Sequence, residues 1–487
     1  MNHFLKAIVL LISMSVSSQN SKLTSKIYET YNSYKETSIG KRRLKHSDIQ
    51  PLIAKIKNNP KYTVKKVGQS IEGRDLTLIS IGKGKTNVLV WSQMHGDEPT
   101  ATQAIFDIFN FLNSPEFLEE KETVLSNLTL HFLPILNPDG AEKYTRRNAL
   151  GIDINRDAVR LQSPESQTLK RVRDSLNADF GFNLHDQSMY YNVERTDKPA
   201  TISYLAPAYN YEKDINNVRA DAMKVIVYMN RIVQKYAPGQ VGRYDDDFEP
   251  RAFGDNIQKW GTSTILIESG GYKNDIEKQE VRRLNYVSIL SGIYSIAKEN
   301  YKNISLKDYK KIPPNDGKLF NLKIVGATYN LLGNDYKIDL GINRLEIDND
   351  NQTDFYNLGK IMDQGDLSNY YGYKVFDATG YRIVKGNVYP KIFKSIEYTS
   401  SLDIYGLLKS GYIYLQIEDL PEDIRATSKP INLIRVGNKT PELVLKPGVI
   451  PSFLLERNNE IEYALINGFL INLKTKESHF KNALIYR

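Results

Sequence analysis

Between residues 62 and 297, short β-branched runs alternate with segments of helical period, and this alternation limits the possible folds more than any other feature. YTVKKVGQS, DLTLISIG and TNVLVWSQ are separated by Gly or Gly-Lys-Gly turns, the texture of strands. TATQAIFDIFNFL follows, with Ile105, Ile108, Phe109 and Leu112 at helical spacing and Pro99 suited to the first turn. The strand LTLHFLPIL, the loop NPDG, a helical patch around ESQTLKRVRDSL and the strand DFGFNL come next. A long helix in NVRADAMKVIVYMNRIVQKY, the strand TSTILIE and a helix around VRRLNYVSILSGIYSIAKE complete the series. Such a series predicts an α/β fold, a mixed, largely parallel sheet flanked by helices. Near-continuous apolar runs such as VLVW and ILI fit strands covered on both faces.

Chemically interesting side chains fall in one place within this pattern. His95 follows VLVWSQM, Asn137 follows LHFLPIL, His185 ends DFGFNLH and Glu268 follows STILI. All lie at or just past the C-terminal ends of predicted strands, where open α/β sheets place their ligand sites. Glu98 stands three residues after His95. Two histidines and a carboxylate can hold a catalytic zinc and leave its fourth position to water, and a second carboxylate can act as base for that water. Taken singly, His95 and Glu98 read equally as a surface hydrogen bond and His185 as a satisfied core histidine. The chain has only six histidines, so two at strand ends outweigh that reading.

The remaining composition narrows the class. At 487 residues the chain exceeds one ordinary core, so two domains are expected. Residues 1–18 read as an export signal: Lys6, the apolar AIVLLISMSV and small residues before a cut after Ser18. This places the protein in the periplasm or outside the cell, with no further membrane span. Residues 19–310 form the catalytic domain of this reading. PPNDGKLFNL looks like a linker, and residues 311–487, short β-prone pieces punctuated by Asn, Asp, Gly and Pro, predict a C-terminal all-β accessory domain, sandwich-like or in two small units. Cysteine is absent, which excludes disulfides, thiol nucleophiles and cysteine metal ligands. The net charge of +8 is dispersed without a dense Lys/Arg block, so nucleic acid is not an expected partner.

Six motifs, SIEGRDL, HGDE, NPDG, RRNALGIDINRD, FNLHDQ and LIESGG, occur in this order between about Tyr62 and Tyr294. In kind and order they resemble the zinc carboxypeptidase family, the carboxypeptidase A-like metallopeptidases, and in particular its bacterial exported members. The resemblance implies one zinc per chain, held by His95, Glu98 and His185. It implies Glu268 as the base that deprotonates water and passes the proton to the leaving amine, and Arg146 as the arginine beside the oxyanion, with Arg147 one register away. It implies Asn155 and Arg156 as the grip on the substrate's terminal carboxylate. A peptide or a peptidoglycan stem peptide is the implied substrate, and an amide hydrolase on small acyl-amino acids is the near alternative. A non-catalytic peptide- or glycan-binding protein is the alternative from another class. HGDE lacks the arginine that follows the first histidine in the pancreatic enzymes, and Asp186 replaces a small polar residue. Tyr244, Arg251 and Asp255 are candidates in the specificity region. Asp153 is expected to hold its loop, and Asp139 and Gly140 to form a turn.

Overall fold

The computed structural model describes residues 26–350, 352–476 and 479–487. The export-signal reading of residues 1–18 lies outside them. Two compact units divide after Gly317, the second being Lys318–Arg487.

The first unit is built on an eight-stranded sheet. Its strands are β1 (Thr63–Gln69), β2 (Asp75–Gly82), β3 (Thr86–Ser92), β4 (Leu128–Leu133), β5 (Phe180–Asp186), β6 (Ile202–Leu205), β7 (Val241–Arg243) and β8 (Ser263–Ser269). They lie in the order β1-β2-β4-β3-β5-β8-β6-β7. The central pairs β4/β3, β3/β5 and β5/β8 are parallel. β1/β2, β2/β4 and β6/β8 are antiparallel, so the sheet is mixed around a parallel centre.

Side-chain alternation in β3 shows why its run is apolar throughout. Val88 and Val90 enter the core that contains the helices Thr100–Asn113, Asn217–Val233 and Gln279–Ala297. Leu89 and Trp91 enter a second core with Leu169, Val172, Phe253 and Ile257, from the helices Pro164–Leu176 and Phe253–Lys259. A strand covered on both faces is predominantly apolar until it leaves the layer, and His95, His185 and Glu268 come where that happens. Pro99 is the residue before the first helical turn rather than within it. NPDG is not an open loop. Asn137 caps a short helix, Pro138–Glu142, by accepting from Gly140 N at 2.9 Å, with proline in the first turn.

Residues 313–316, linker-like in sequence, are part of the first unit. Asn315–Asp316 pairs antiparallel with Asn192–Val193, and Arg243 N donates to Pro313 O at 2.7 Å.

The second unit contains an eight-stranded and a five-stranded sheet. Leu454, Ala464, Ile466 and Ile471 of the larger sheet share a core with Ile413, Leu415 and Leu433 of the smaller, in sandwich fashion. A six-residue helix, Ile404–Lys409, interrupts the β pattern. It is capped by Asp403 and too short to leave a readable period.

Candidate metal centre

His95 lies in the loop after β3, and Glu98 just before the helix Thr100–Asn113. His185 and Glu268 are aligned Cα partners on the adjacent strands β5 and β8. His95, Glu98 and His185 converge, with one ligand atom from each within 4.8 Å of the others. His95 Nδ1 is 2.7 Å from Glu98 Oε1, and His185 Nδ1 is 2.8 Å from Glu98 Oε2. The imidazole centroids are 4.9 Å apart.

Two glycines allow this geometry. A Cβ on Gly96 would lie 2.0 Å from the backbone carbon of Gly140, and a Cβ on Gly140 would lie 2.8 Å from Arg147 O. The loops after β3 and β4 therefore cross backbone to backbone, and they are joined by Leu136 N to Ser92 O and Asn137 N to Gln93 O, both at 3.0 Å. SIEGRDL supports the crossing from outside. Ser70 Oγ and Arg74 Nη1 donate to Asp139 Oδ1, and Glu72 N donates to Oδ2.

Asp153 does hold its loop, accepting from Asn155 N at 2.9 Å, and it also faces the site. Its Oδ1 is 3.2 Å from His95 Nε2 and its Oδ2 accepts from Arg146 Nε at 3.1 Å. Arg146 Nη1 is 3.1 Å from His95 Nδ1 and 3.4 Å from Glu98 Oε1. Arg147 turns away and donates to Gly151 O. Asp186 meets the centre through its backbone, its N–H donating to Glu98 Oε2 at 3.2 Å. Its carboxylate accepts from Thr100 Oγ1 at 2.5 Å and Lys278 Nζ at 3.0 Å. Thr100 and Lys278 carry no sequence signal for this role.

Charge within the cluster is uneven. Burial and the charge of Glu98 act in opposite directions on His95. The charge of Glu98, with the hydrogen bonds of His95 to Asp153 and Glu98, prevails and pushes the imidazole up to about 9. Burial keeps His185 below its ordinary value. Burial would raise Glu98, but the two imidazoles hold it well below the carboxylate range. Burial, then the charge of Glu98, raises Glu268 well above that range. No side chain hydrogen-bonds the Glu268 carboxylate among the described residues.

These donors fit a zinc ion. Two imidazoles and an ionised carboxylate are a known catalytic ligand set, and a cation would take the place of the proton that His95 otherwise holds. Asp153 is the partner that a ligating imidazole needs on its other nitrogen. His185 Nε2 has no such partner among the described residues.

Asn155, Arg156, Arg251 and Asp255 gather in a neighbouring cluster. Asn155 Oδ1 accepts from Phe253 N at 2.9 Å, and Arg156 Nε is 3.3 Å from Glu249 Oε2. Arg251 pairs with the same glutamate. Burial pushes Asp255 up to about 7. Burial, then the charges of Glu268, Tyr191 and Glu98, raises the phenol of Tyr244.

A His₂Glu donor set at the carboxyl ends of parallel strands defines a metal site of the kind found in zinc hydrolases. Residues 50–228 match the family described as zinc carboxypeptidase. Carboxypeptidase E of Caenorhabditis elegans is 31% identical over 122 residues, 21% of this chain and 26% of that protein. Carboxypeptidase SOL1 of Arabidopsis thaliana is 28% identical over 144 residues, 26% and 29% of the two chains. The matches thus span little more than a quarter of either relative. A metallo-carboxypeptidase from Burkholderia cenocepacia superposes with TM-score 0.43 at 16% identity, covering 52% of this chain and 69% of that one.

Proposed function

We propose that the chain is a zinc-dependent metallocarboxypeptidase that hydrolyses the peptide bond next to a free C-terminal carboxylate. The observation that carries this reading is the convergence of His95, Glu98 and His185 within 4.8 Å, with Glu268 in register beside His185. Bound zinc would supply a Lewis acid that polarises a carbonyl and lowers the pKa of water. Glu268 Oε takes a proton from the attacking water and delivers it to the leaving amine. Its burial, with no side-chain hydrogen bond to it among the described residues, suits a group that must exchange a proton in both directions. Arg146, held by Asp153, offers N–H donors to the developing oxyanion. Arg156, with the amide nitrogen of Asn155, binds the terminal carboxylate of the substrate. For Arg156 this requires exchange of its surface pair with Glu249. Oligopeptides and peptidoglycan stem peptides ending in a free carboxylate are the substrate class, and residues 1–18 export the enzyme to them. Residues 318–487 serve as an accessory β-rich domain.

The test is hydrolysis of peptides with free and amidated C-termini by the wild type and Glu268→Gln, with zinc content measured in each. Glu268→Gln should keep its zinc and lose about 10²–10⁴ in kcat. Undiminished hydrolysis by this variant, or equal cleavage of amidated peptides by the wild type, overturns the reading.

A further inference from the structure

Beside Glu268, three buried or half-buried polar side chains close a ring. Gln187 Nε2 donates to Ser203 Oγ at 2.9 Å, Ser203 Oγ donates to Asn315 Oδ1 at 2.8 Å, and Asn315 Nδ2 donates to Gln187 Oε1 at 2.7 Å. Gln187 Nε2 also donates to Ala200 O at 2.7 Å, and its backbone N–H donates to Ser269 O at 3.0 Å. Every donor and acceptor that the ring uses is matched, the condition under which a buried polar network rigidifies its surroundings.

Its position relative to the base follows from strand register. Glu268 has His185 as its Cα partner on one side and Ser203 on the other. Paired residues on adjacent strands project from the same face, so Ser203, Glu268 and His185 stand side by side. Gln187 comes two residues after His185, and Gly270 two residues after Glu268. A Cβ on Gly270 would lie 2.1 Å from Ala200 O and 3.0 Å from Gln187 Nε2. The chain that leaves Glu268 is therefore pressed against groups that Gln187 holds. Among the described residues no side chain hydrogen-bonds the Glu268 carboxylate to fix its direction.

Asn315 reaches the ring because the segment 313–316 is built into the sheet edge. Its Oδ1 occupies space that any Cβ at position 242 would take, 2.0 Å from the ideal Cβ of Gly242. Glu194 N donates to Pro314 O at 3.0 Å, and Arg243 N to Pro313 O at 2.7 Å. The segment is thus fixed at the two residues before Asn315, and Asp316 after it pairs with Asn192.

We propose that Gln187, Ser203 and Asn315 are positioning residues for Glu268, and that the segment leading into the second unit thereby completes the active site. The proposal rests on the reading of Glu268 as the base. Ser203→Ala deletes two of the three ring bonds at almost constant volume, and Asn315→Ala deletes two from the other side. In the full-length zinc-loaded protein each should lower kcat roughly tenfold to hundredfold, the cost of a small misplacement of a reacting group. KM should change less than about threefold and zinc content not at all, because neither residue touches a ligand or the substrate grip. Ser203→Thr, which keeps the hydroxyl, should recover most of the lost kcat. If Ser203→Ala and Asn315→Ala fold, hold zinc and keep wild-type kcat while Glu268→Gln is inactive, the ring is only structural and the proposal is wrong. Loss of zinc in parallel with kcat, or failure of Ser203→Thr to recover it, also overturns the proposal. Wild-type turnover by Glu268→Gln defeats the reading of the base instead.

Discussion

Replacing Asp153 with alanine removes the carboxylate that holds His95 from behind. Asp153 Oδ1 is 3.2 Å from His95 Nε2, while Oδ2 is 3.1 Å from Arg146 Nε and 3.0 Å from Arg146 Nη2. Loss of such an outer partner of a ligating imidazole costs about 10–100-fold in metal affinity, or about 1.4–2.7 kcal/mol. Oδ1 also accepts from Asn155 N, so the substitution loosens the turn Ile154–Arg156 as well, by about 0.5–1.5 kcal/mol of stability. Asp153→Asn separates the effects. It keeps an acceptor for His95 and for Asn155 N, and puts an amide NH2 where the Oδ2 that accepts from Arg146 stood. Zinc affinity is measured by competition with a chromophoric chelator, and stability by thermal unfolding of the metal-free protein. The expected order is wild type, then Asp153→Asn within about threefold, then Asp153→Ala weaker by about 10–100-fold. An Asp153→Ala protein that melts normally and binds zinc within twofold of wild type would refute the idea that this carboxylate orients His95.

Three further outcomes can be checked. Asn155→Ala with Arg156→Ala should raise KM for peptides with a free C-terminus, by about tenfold or more for a lost charged hydrogen bond; equal loss on amidated peptides would remove the grip assignment. Asp107→Asn leaves Arg282 charged and without its bidentate partner, although both side chains are fully buried, and should destabilise the protein by about 3–5 kcal/mol in urea unfolding. Burial pulls His131 down to about 4, against an ordinary value of about 6.5. The folded state then binds fewer protons than the unfolded chain, so stability is complete above about pH 6.5 and falls as pH drops towards 4. His131→Asn should flatten the urea midpoint between pH 7 and 4.5, and an unchanged slope would exclude this imidazole as the cause.

The sheet and its ligand-bearing end were legible in the sequence because both follow from burial. A strand covered on two faces stays predominantly apolar until it leaves the layer, so VLVW and STILI marked where His95 and Glu268 would emerge. The choice between Arg146 and Arg147 was not legible, since it depends on which side chain the loop turns towards Asp153 and Glu98. Lys278 was equally hidden. It meets Asp186 from 92 residues away, and nothing in local spacing records such a pair. Asn315 was misleading for a different reason. Proline, asparagine, aspartate and glycine mark both free linkers and irregular edges that bond through their backbone, and PPNDG is of the second kind. The helix Ile404–Lys409 escaped because its six residues give fewer than two turns of periodicity.

The crossing at Gly96 and Gly140 has a consequence for transplantation. With no room for a methyl group between them, the turns bearing His95 and Arg146 are cut to each other's outline. Neither can be lengthened, or exchanged for a homologous turn, unless the other is replaced in the same step, so a chimaera must inherit them as a matched pair.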